Sequence, residues 1–236
     1  MKNIIEIKNL DKSFREVHAV NDLSLKVKEG ELFAFLGVNG AGKSTLLHAV
    51  MGNPAYTVTE GRIYFNGEDI TDLSVDKRAR LGIFLSFQSP ISVAGISVEN
   101  FIRTAKTAVS GQQQRLFPFK RLLKTRMEAL DMDPSYASRY LNEGFSGGER
   151  KKNEILQMRV LDPKLAMLDE TDSGLDVDAV RTVAKNISEF HNEGNALLLI
   201  THLNQLIRYI RPDHVHILIG GRIVKEGGPE LADEVE

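Results

Sequence analysis

Five consecutive apolar residues, Leu32–Leu36, run directly into Gly37-Val38-Asn39-Gly40-Ala41-Gly42-Lys43-Ser44-Thr45, and over Lys43–Met51 the apolar period becomes helical. An unbroken apolar run of that length suits a strand covered on both faces, the usual state of a strand in a parallel sheet layered with helices. The junction predicts an α/β fold in which a buried strand feeds a helix through a glycine-rich turn. Glycines let the backbone adopt dihedrals closed to other residues and approach a ligand without a Cβ in the way, so successive N–H groups and the helix N-terminus point at a phosphate. Lys43 adds a mobile positive charge for the β- and γ-phosphates, and the Ser44 hydroxyl is placed to ligate Mg2+. A turn that only joined strand to helix would need no Lys-Ser at the helix start.

The rest of the chain fits the same architecture. Residues 83–87, 165–168, 196–200 and 215–219 are further short apolar runs, with helical patterns at about 176–191 and 203–210. Strand, helix, strand, helix, strand implies a parallel sheet covered on its faces. Earlier clusters at Ile4, Ile5 and Ile7 and at Leu23, Leu25 and Val27 alternate partially, with turn signals at Asn9-Leu10-Asp11 and Glu29-Gly30, and predict an N-terminal antiparallel region. Residues 62–65 with Asn66-Gly67 predict a hairpin. Between about 98 and 140 the apolar positions fall at three- and four-residue steps, as in a helical insert. The acidic end, 229–236, is expected to be loosely held.

Composition narrows the partners. A net charge of -2 without long runs of one sign leaves no basic footprint for nucleic acid and no polybasic stretch for a membrane surface. No apolar run is long enough to span a bilayer and no secretory signal opens the chain, so it is expected to stay cytoplasmic. The complete absence of Cys excludes thiolate ligands, disulfides and cysteine nucleophiles.

Leu165-Ala166-Met167-Leu168-Asp169-Glu170 is an apolar strand that delivers two adjacent carboxylates to its C-terminal end, the edge at which ligands bind in such sheets. Asp169 is expected to hold Mg2+ through water and Glu170 to orient or deprotonate an attacking water. Ser146 with Glu149 forms a capping box at the head of a helix running to about Leu161, ended by Asp162-Pro163.

Phe145-Ser146-Gly147-Gly148-Glu149 resembles the signature of the ATP-binding-cassette (ABC) ATPases, usually Leu-Ser-Gly-Gly-Gln, and lies shortly before the carboxylate strand as in that family. Gln88 after the 83–87 run, Ser173-Gly174-Leu175-Asp176 and Thr201-His202 resemble its Q-loop, D-loop and switch histidine. Phe14 stands where that family places an adenine-stacking aromatic, and a core aromatic is the competing reading. The resemblance covers about residues 4–227. It implies one cassette, with a core of 1–88 and 151–236 and a helical subdomain at about 89–150. It also implies a dimer in which Lys43, Ser44, Gln88, Asp169, Glu170 and His202 of one copy face Ser146, Gly147 and Gly148 of another across ATP. Ser44, Gln88 and Asp169 would form the Mg2+ set.

Three segments resemble more narrowly the ATPase subunit of the SUF iron-sulfur cluster assembly system. These are 144–155, 169–178 and 209–216, where importers usually carry Gln at 149, Pro at 171 and Thr or Ser at 172. That resemblance implies paired SUF scaffold subunits as partners, with any cluster ligands on the scaffold. The alternatives are the ATPase half of a transporter and a nucleotide-gated switch. A further hypothesis is that Asp172, near Lys151 and Lys152, holds Glu170 off its productive position until dimerisation. His214 and His216 share one strand face, and two such ligands are too few for a metal site.

Overall fold

The computed structural model describes residues 2–201 and 204–234. Its elements in chain order are β1 (Asn3–Phe14), β2 (Val17–Lys28), β3 (Leu32–Leu36), α1 (Lys43–Met51), β4 (Glu60–Phe65), β5 (Glu68–Asp69), α2 (Val75–Leu81), β6 (Ile83–Leu85), β7 (Val93–Ser97), α3 (Val98–Ser110), α4 (Leu116–Ala129), β8 (Tyr140–Leu141), α5 (Gly147–Leu161), β9 (Leu165–Asp169), α6 (Val177–Phe190), β10 (Ala196–Ile200), α7 (Asn204–Ile210), β11 (His214–Ile219) and β12 (Arg222–Gly227).

Among the described residues the central sheet has the order β12-β11-β3-β10-β9-β6. All its pairs are parallel except the β11–β12 hairpin at one edge. Strands β3, β10 and β9 are buried along their whole length, and alternation divides their side chains between two cores. Leu32, Ala34 and Leu36 of β3 face α3–α6, whereas Phe33 and Phe35 face α1 and the antiparallel sheet β2-β1-β4-β5. A period of two with no polar face is what a two-sided sheet demands.

The α/β class, the parallel core, the antiparallel N-terminal region and the helical stretch all agree with the sequence. At Asn66-Gly67 both residues have positive φ (52° and 89°), as a two-residue hairpin of the primed type requires. Four expectations need correction. Asn9-Leu10-Asp11 does not end a strand: Asn9 takes φ 46° at a register shift, and β1 continues to Phe14 as a bulged strand. The 83–87 run leaves the sheet after Leu85, and Phe87 is 49 % exposed. The helical stretch also carries a small antiparallel pair, β7 with β8. Finally, the acidic end is held over 229–234, because Leu231 and Ala232 are buried in the helix-side core and Arg208 pairs with Asp233 at 2.8 Å.

Arg78 anchors the far end of α1. Its guanidinium is 2 % exposed and donates to the carbonyls of Ala49 (3.0 Å), Val50 (2.7 Å), Leu73 (2.9 Å) and Thr71 (2.6 Å). The first two are C-terminal helix carbonyls that have no partner within the helix. Arg78→Met should therefore lower unfolding free energy by roughly 3 kcal/mol, because it removes four hydrogen bonds at once and takes this donor from the buried Val50 carbonyl, while the Ala49 carbonyl keeps only Gly52 N–H at 3.0 Å; urea denaturation measures this.

Candidate active site

The glycine-rich turn is shaped by close backbone packing. A Cβ on Gly37 would lie 2.3 Å from the Leu218 carbonyl oxygen, and one on Gly42 (φ 99°) only 2.0 Å from that of Ala19. Glycine at 37 and 42 thus lets the turn sit against β11 and β2, independent of any ligand. The β11–β12 turn adds a brace, since Gly221 N–H donates to the Ala41 carbonyl at 2.9 Å. Ala19, Leu218 and Gly221 were not recognisable from the sequence, because nothing local marks a residue whose role is to offer a main-chain atom to a distant loop.

Val38 is exposed, and Asn39 and Gly40 stand at the mouth of a depression of about 370 Å³ lined also by Phe14, Val17, Ala19, Lys43, Ser44, Thr45, Gln88 and Glu170. Phe14 is 37 % exposed on this rim, with its ring edge-on to Tyr56 at 5.6 Å and beneath the Lys12 ammonium, so the core-aromatic reading does not hold. Lys43 Nζ donates to the carbonyls of Gly37 (2.6 Å) and Val38 (3.1 Å). Burial pushes its pKa down, and the charges of Glu170 and Asp169 pull it back up.

Where α1 begins and β9 ends, Ser44 Oγ donates to Asp169 Oδ1 at 3.1 Å. Burial raises the Asp169 pKa; the Ser44 hydrogen bond opposes the rise and the Glu170 charge adds to it. Glu170 takes φ 48° as the chain turns off β9, and its Oε2 accepts from Gln88 Nε2 at 2.7 Å. Ser44, Asp169, Gln88 and Glu170 are therefore brought together with the turn, and the donor set fits a Mg2+ ion: a hydroxyl and a carboxylate oxygen converge, and the Gln88 amide oxygen is not the atom spent on Glu170.

Ser146 caps α5 with the full reciprocal box, Glu149 N–H to Ser146 Oγ (3.2 Å) and Ser146 N–H to Glu149 Oε2 (2.7 Å), and the Tyr136 hydroxyl bonds the other Glu149 oxygen. Ser146 and Gly148 line a different depression, shared with Asp131, Tyr136 and Asp176. Asp176 is itself the cap of α6. Among the described residues, the glycine-rich turn and the Ser146 segment line these two separate depressions.

This double set of features has a counterpart among known proteins. The family model described as ABC transporter matches residues 20–173, from β2 through β9 and beyond Glu170. The chain belongs to this ABC family. It is 46 % identical to vegetative protein 296 of Bacillus subtilis (strain 168), covering 98 % of this chain and 90 % of that protein. It is also 46 % identical to the probable ATP-dependent transporter ycf16 of Guillardia theta, covering 100 % and 94 %. Among solved structures, the ADP conformation of the cassette MJ1267 superposes with a TM-score of 0.80 at 25 % identity, covering 100 % of this chain and 95 % of that one. This ABC chain is accordingly an ATP-binding ATPase.

The ABC site contains residues that motif reading passed over. Ser86 Oγ accepts from Asp169 N–H at 3.0 Å. Lys151 Nζ donates to the main-chain carbonyls of Gln88 (2.6 Å) and Glu170 (2.9 Å), and Glu154 Oε2 accepts from Phe87 N–H at 3.1 Å. A charged residue at the buried positions of a helix was the one available signal. Asp172 accepts from Thr201 Oγ1 and feels the charges of Glu170 and Lys151, while Lys152 Nζ turns to the Asp131 carbonyl at 3.4 Å. His202 lies outside the described residues. His214 and His216 both pack on Phe33, each ring 4.9 Å from it.

Burial pushes the Glu154 carboxyl up from 4.5 to about 7, against the pull of the Phe87 and Gln157 hydrogen bonds and the Lys151 charge. The folded chain then holds this proton more tightly than the unfolded one. Stability from it is fully present below the unfolded value and is lost as pH rises toward about 7. A shift of that size corresponds to about 3 kcal/mol. Glu154→Gln should therefore melt above the wild type at pH about 8, with the gap closing as pH falls toward about 5; scanning calorimetry across that range checks the sign.

Proposed function

We propose that the chain hydrolyses ATP at a seam between two copies and transmits the resulting motion to a SUF-type scaffold in iron-sulfur cluster assembly. The observation that carries the first half is the separation of the two depressions. The phosphate turn, Ser44, Gln88 and Glu170 line one, with Asp169 bonded to Ser44 behind it, and the signature Ser146 with Gly148 lines another. A second copy is what brings a signature over the phosphates, with Ser146, Gly147 and Gly148 closing on the nucleotide from the partner.

On this reading the N–H groups of residues 37–45 and the Lys43 ammonium hold the β- and γ-phosphates, and Phe14 stacks on the base. Ser44, Asp169 and Gln88 hold Mg2+, which when bound neutralises charge on the phosphate oxygens. Glu170 orients the water that attacks the γ-phosphorus and accepts its proton, so that the bond to the β-phosphate oxygen breaks and ADP and phosphate form. Gln88 fixes the direction of that carboxylate. His202 has the role of the switch histidine that its family position implies. Residues 89–150 form the unit that moves against 1–88 and 151–236 when nucleotide binds.

The SUF assignment is supported by where the departures from the importer pattern fall. Glu149 completes the cap of α5, and Thr171 and Asp172 are each 1 % exposed beside Glu170. They are built into the site. A cytoplasmic setting with paired scaffold subunits follows from the same reading. The second reading, the ATP-binding subunit of a transporter, draws support from relatives described as probable ATP-dependent transporters, such as slr0075 of Synechocystis sp. (strain ATCC 27184 / PCC 6803 / Kazusa), 44 % identical over 100 % of this chain and 93 % of that one. No helix among the described residues is long and apolar enough to cross a membrane.

Two measurements test the proposal. Glu170→Gln should lose at least about 100-fold in turnover while MgATP affinity stays within a few-fold. Undiminished turnover removes Glu170 from the chemistry, and negligible turnover in the wild type favours the nucleotide-gated switch. Capture of the tagged chain from a lysate should bring down soluble scaffold proteins, whereas integral membrane subunits would favour the transporter reading.

A further inference from the structure

Pairing between β6 and β9 stops at Leu85 and Met167, and the last ladder bond is Ser86 N–H to the Met167 carbonyl at 2.9 Å. Beyond that point the two chains diverge, one toward Gln88 and the other toward Glu170. The lost ladder bonds are replaced by side chains. Ser86 Oγ takes the Asp169 N–H, and at the level of Phe87 the acceptor is Glu154 Oε2, 3.1 Å from the amide nitrogen. Glu154 is only 4 % exposed, and its second oxygen is held by Gln157 Nε2 at 3.2 Å, so the carboxyl has a defined orientation. The mouth of the divergence is spanned by the Gln88 Nε2 to Glu170 Oε2 bond of 2.7 Å.

Burying a carboxyl here is unfavourable, and an apolar residue would fill the space without that cost. What the carboxyl alone supplies is an acceptor for the main chain immediately before Gln88. Glu154 also sits on α5, whose first turn is capped by Ser146, about 12 Å away along the helix at 1.5 Å per residue. It thereby joins the loop that aims Gln88 to the helix that carries the signature.

We propose that Glu154 is a positioning residue for hydrolysis: its hydrogen bond to the Phe87 amide holds Gln88 in the place from which it aims Glu170, and makes that aim depend on the position of α5. The inference rests on the assignment of Glu170 and Gln88 given under the proposed function. It concerns chiefly the rate of the chemical step: the phosphate turn is left untouched, so KM moves less than kcat even though Gln88 is also assigned to Mg2+.

The test is steady-state ATPase kinetics on full-length Glu154→Leu, Glu154→Gln and Glu170→Gln, with melting temperatures and hydrogen exchange at the Phe87 amide measured in parallel. Glu154→Leu should lower kcat about tenfold with KM for ATP within about twofold of wild type, and should speed exchange at Phe87. Glu154→Gln keeps an acceptor oxygen and should recover kcat to within about threefold, with Phe87 protected. The inference is overturned if Glu154→Leu turns over at the wild-type rate, if it changes KM alone, or if Glu154→Gln loses as much as Leu. Should Glu154→Leu fail to fold, the Gln variant decides: protection at Phe87 with near-normal kcat supports the inference, and a normal kcat with rapid exchange there overturns it. Turnover that persists in Glu170→Gln defeats the underlying assignment, whereas loss in Glu170→Gln with a wild-type rate in Glu154→Leu defeats the inference alone.

Discussion

The glycine-rich turn is held by main chain against main chain: Gly42 under the Ala19 carbonyl, Gly37 under that of Leu218, and Ala41 accepting from Gly221. These contacts leave no room for a side chain, and they tie the turn to β2 and to the β11–β12 hairpin. The N-terminal antiparallel sheet and the far edge of the central sheet therefore both serve the phosphate site, although neither contributes a charged group to it. A loop shaped in this way does not have to be ordered by its ligand, so less of the binding energy is lost to organising it.

Charge is balanced at close quarters around the ends of β6 and β9. Lys43 and Lys151 are buried ammonium groups, and burial lowers both pKa values while nearby carboxylates raise them. Asp169, Asp172 and Glu154 are buried carboxyl groups pushed upward. Each such group alone would be costly, and together they compensate one another through hydrogen bonds and opposite charge. The cluster is centred on the residues assigned to hydrolysis, where perturbed titration is expected.

Helix α5 connects these regions. Its N-terminus presents the signature, and its buried side chains Lys151 and Glu154 hold main-chain atoms at Gln88, Glu170 and Phe87. The motifs that sequence reading treats as separate words are thus attached to one rigid rod.

Motif residues were legible because each carries a local signature: an apolar run meeting spaced glycines, paired carboxylates after a strand, a capping box at a helix start. Fold class was legible for the same reason, since burial on both faces removes alternation from β3, β9 and β10. The length of β6 was not, because Ser86 and Phe87 leave the sheet for partners remote in the chain, and apolar character alone cannot reveal where a ladder ends. The 229–234 segment was misjudged because its composition is acidic, while its anchoring comes from the buried Leu231 and Ala232 and from the pair of Asp233 with Arg208. By itself the sequence determined which residues are candidates for the chemistry and that the glycine-rich turn and the paired carboxylates follow the C-terminal ends of parallel strands, because periodicity and motif spacing are local properties. Only the tertiary structure decided that the signature and the phosphate turn occupy different pockets, and that Ala19, Gly221, Lys151 and Glu154 support the site, because those relations are distances between segments far apart along the chain.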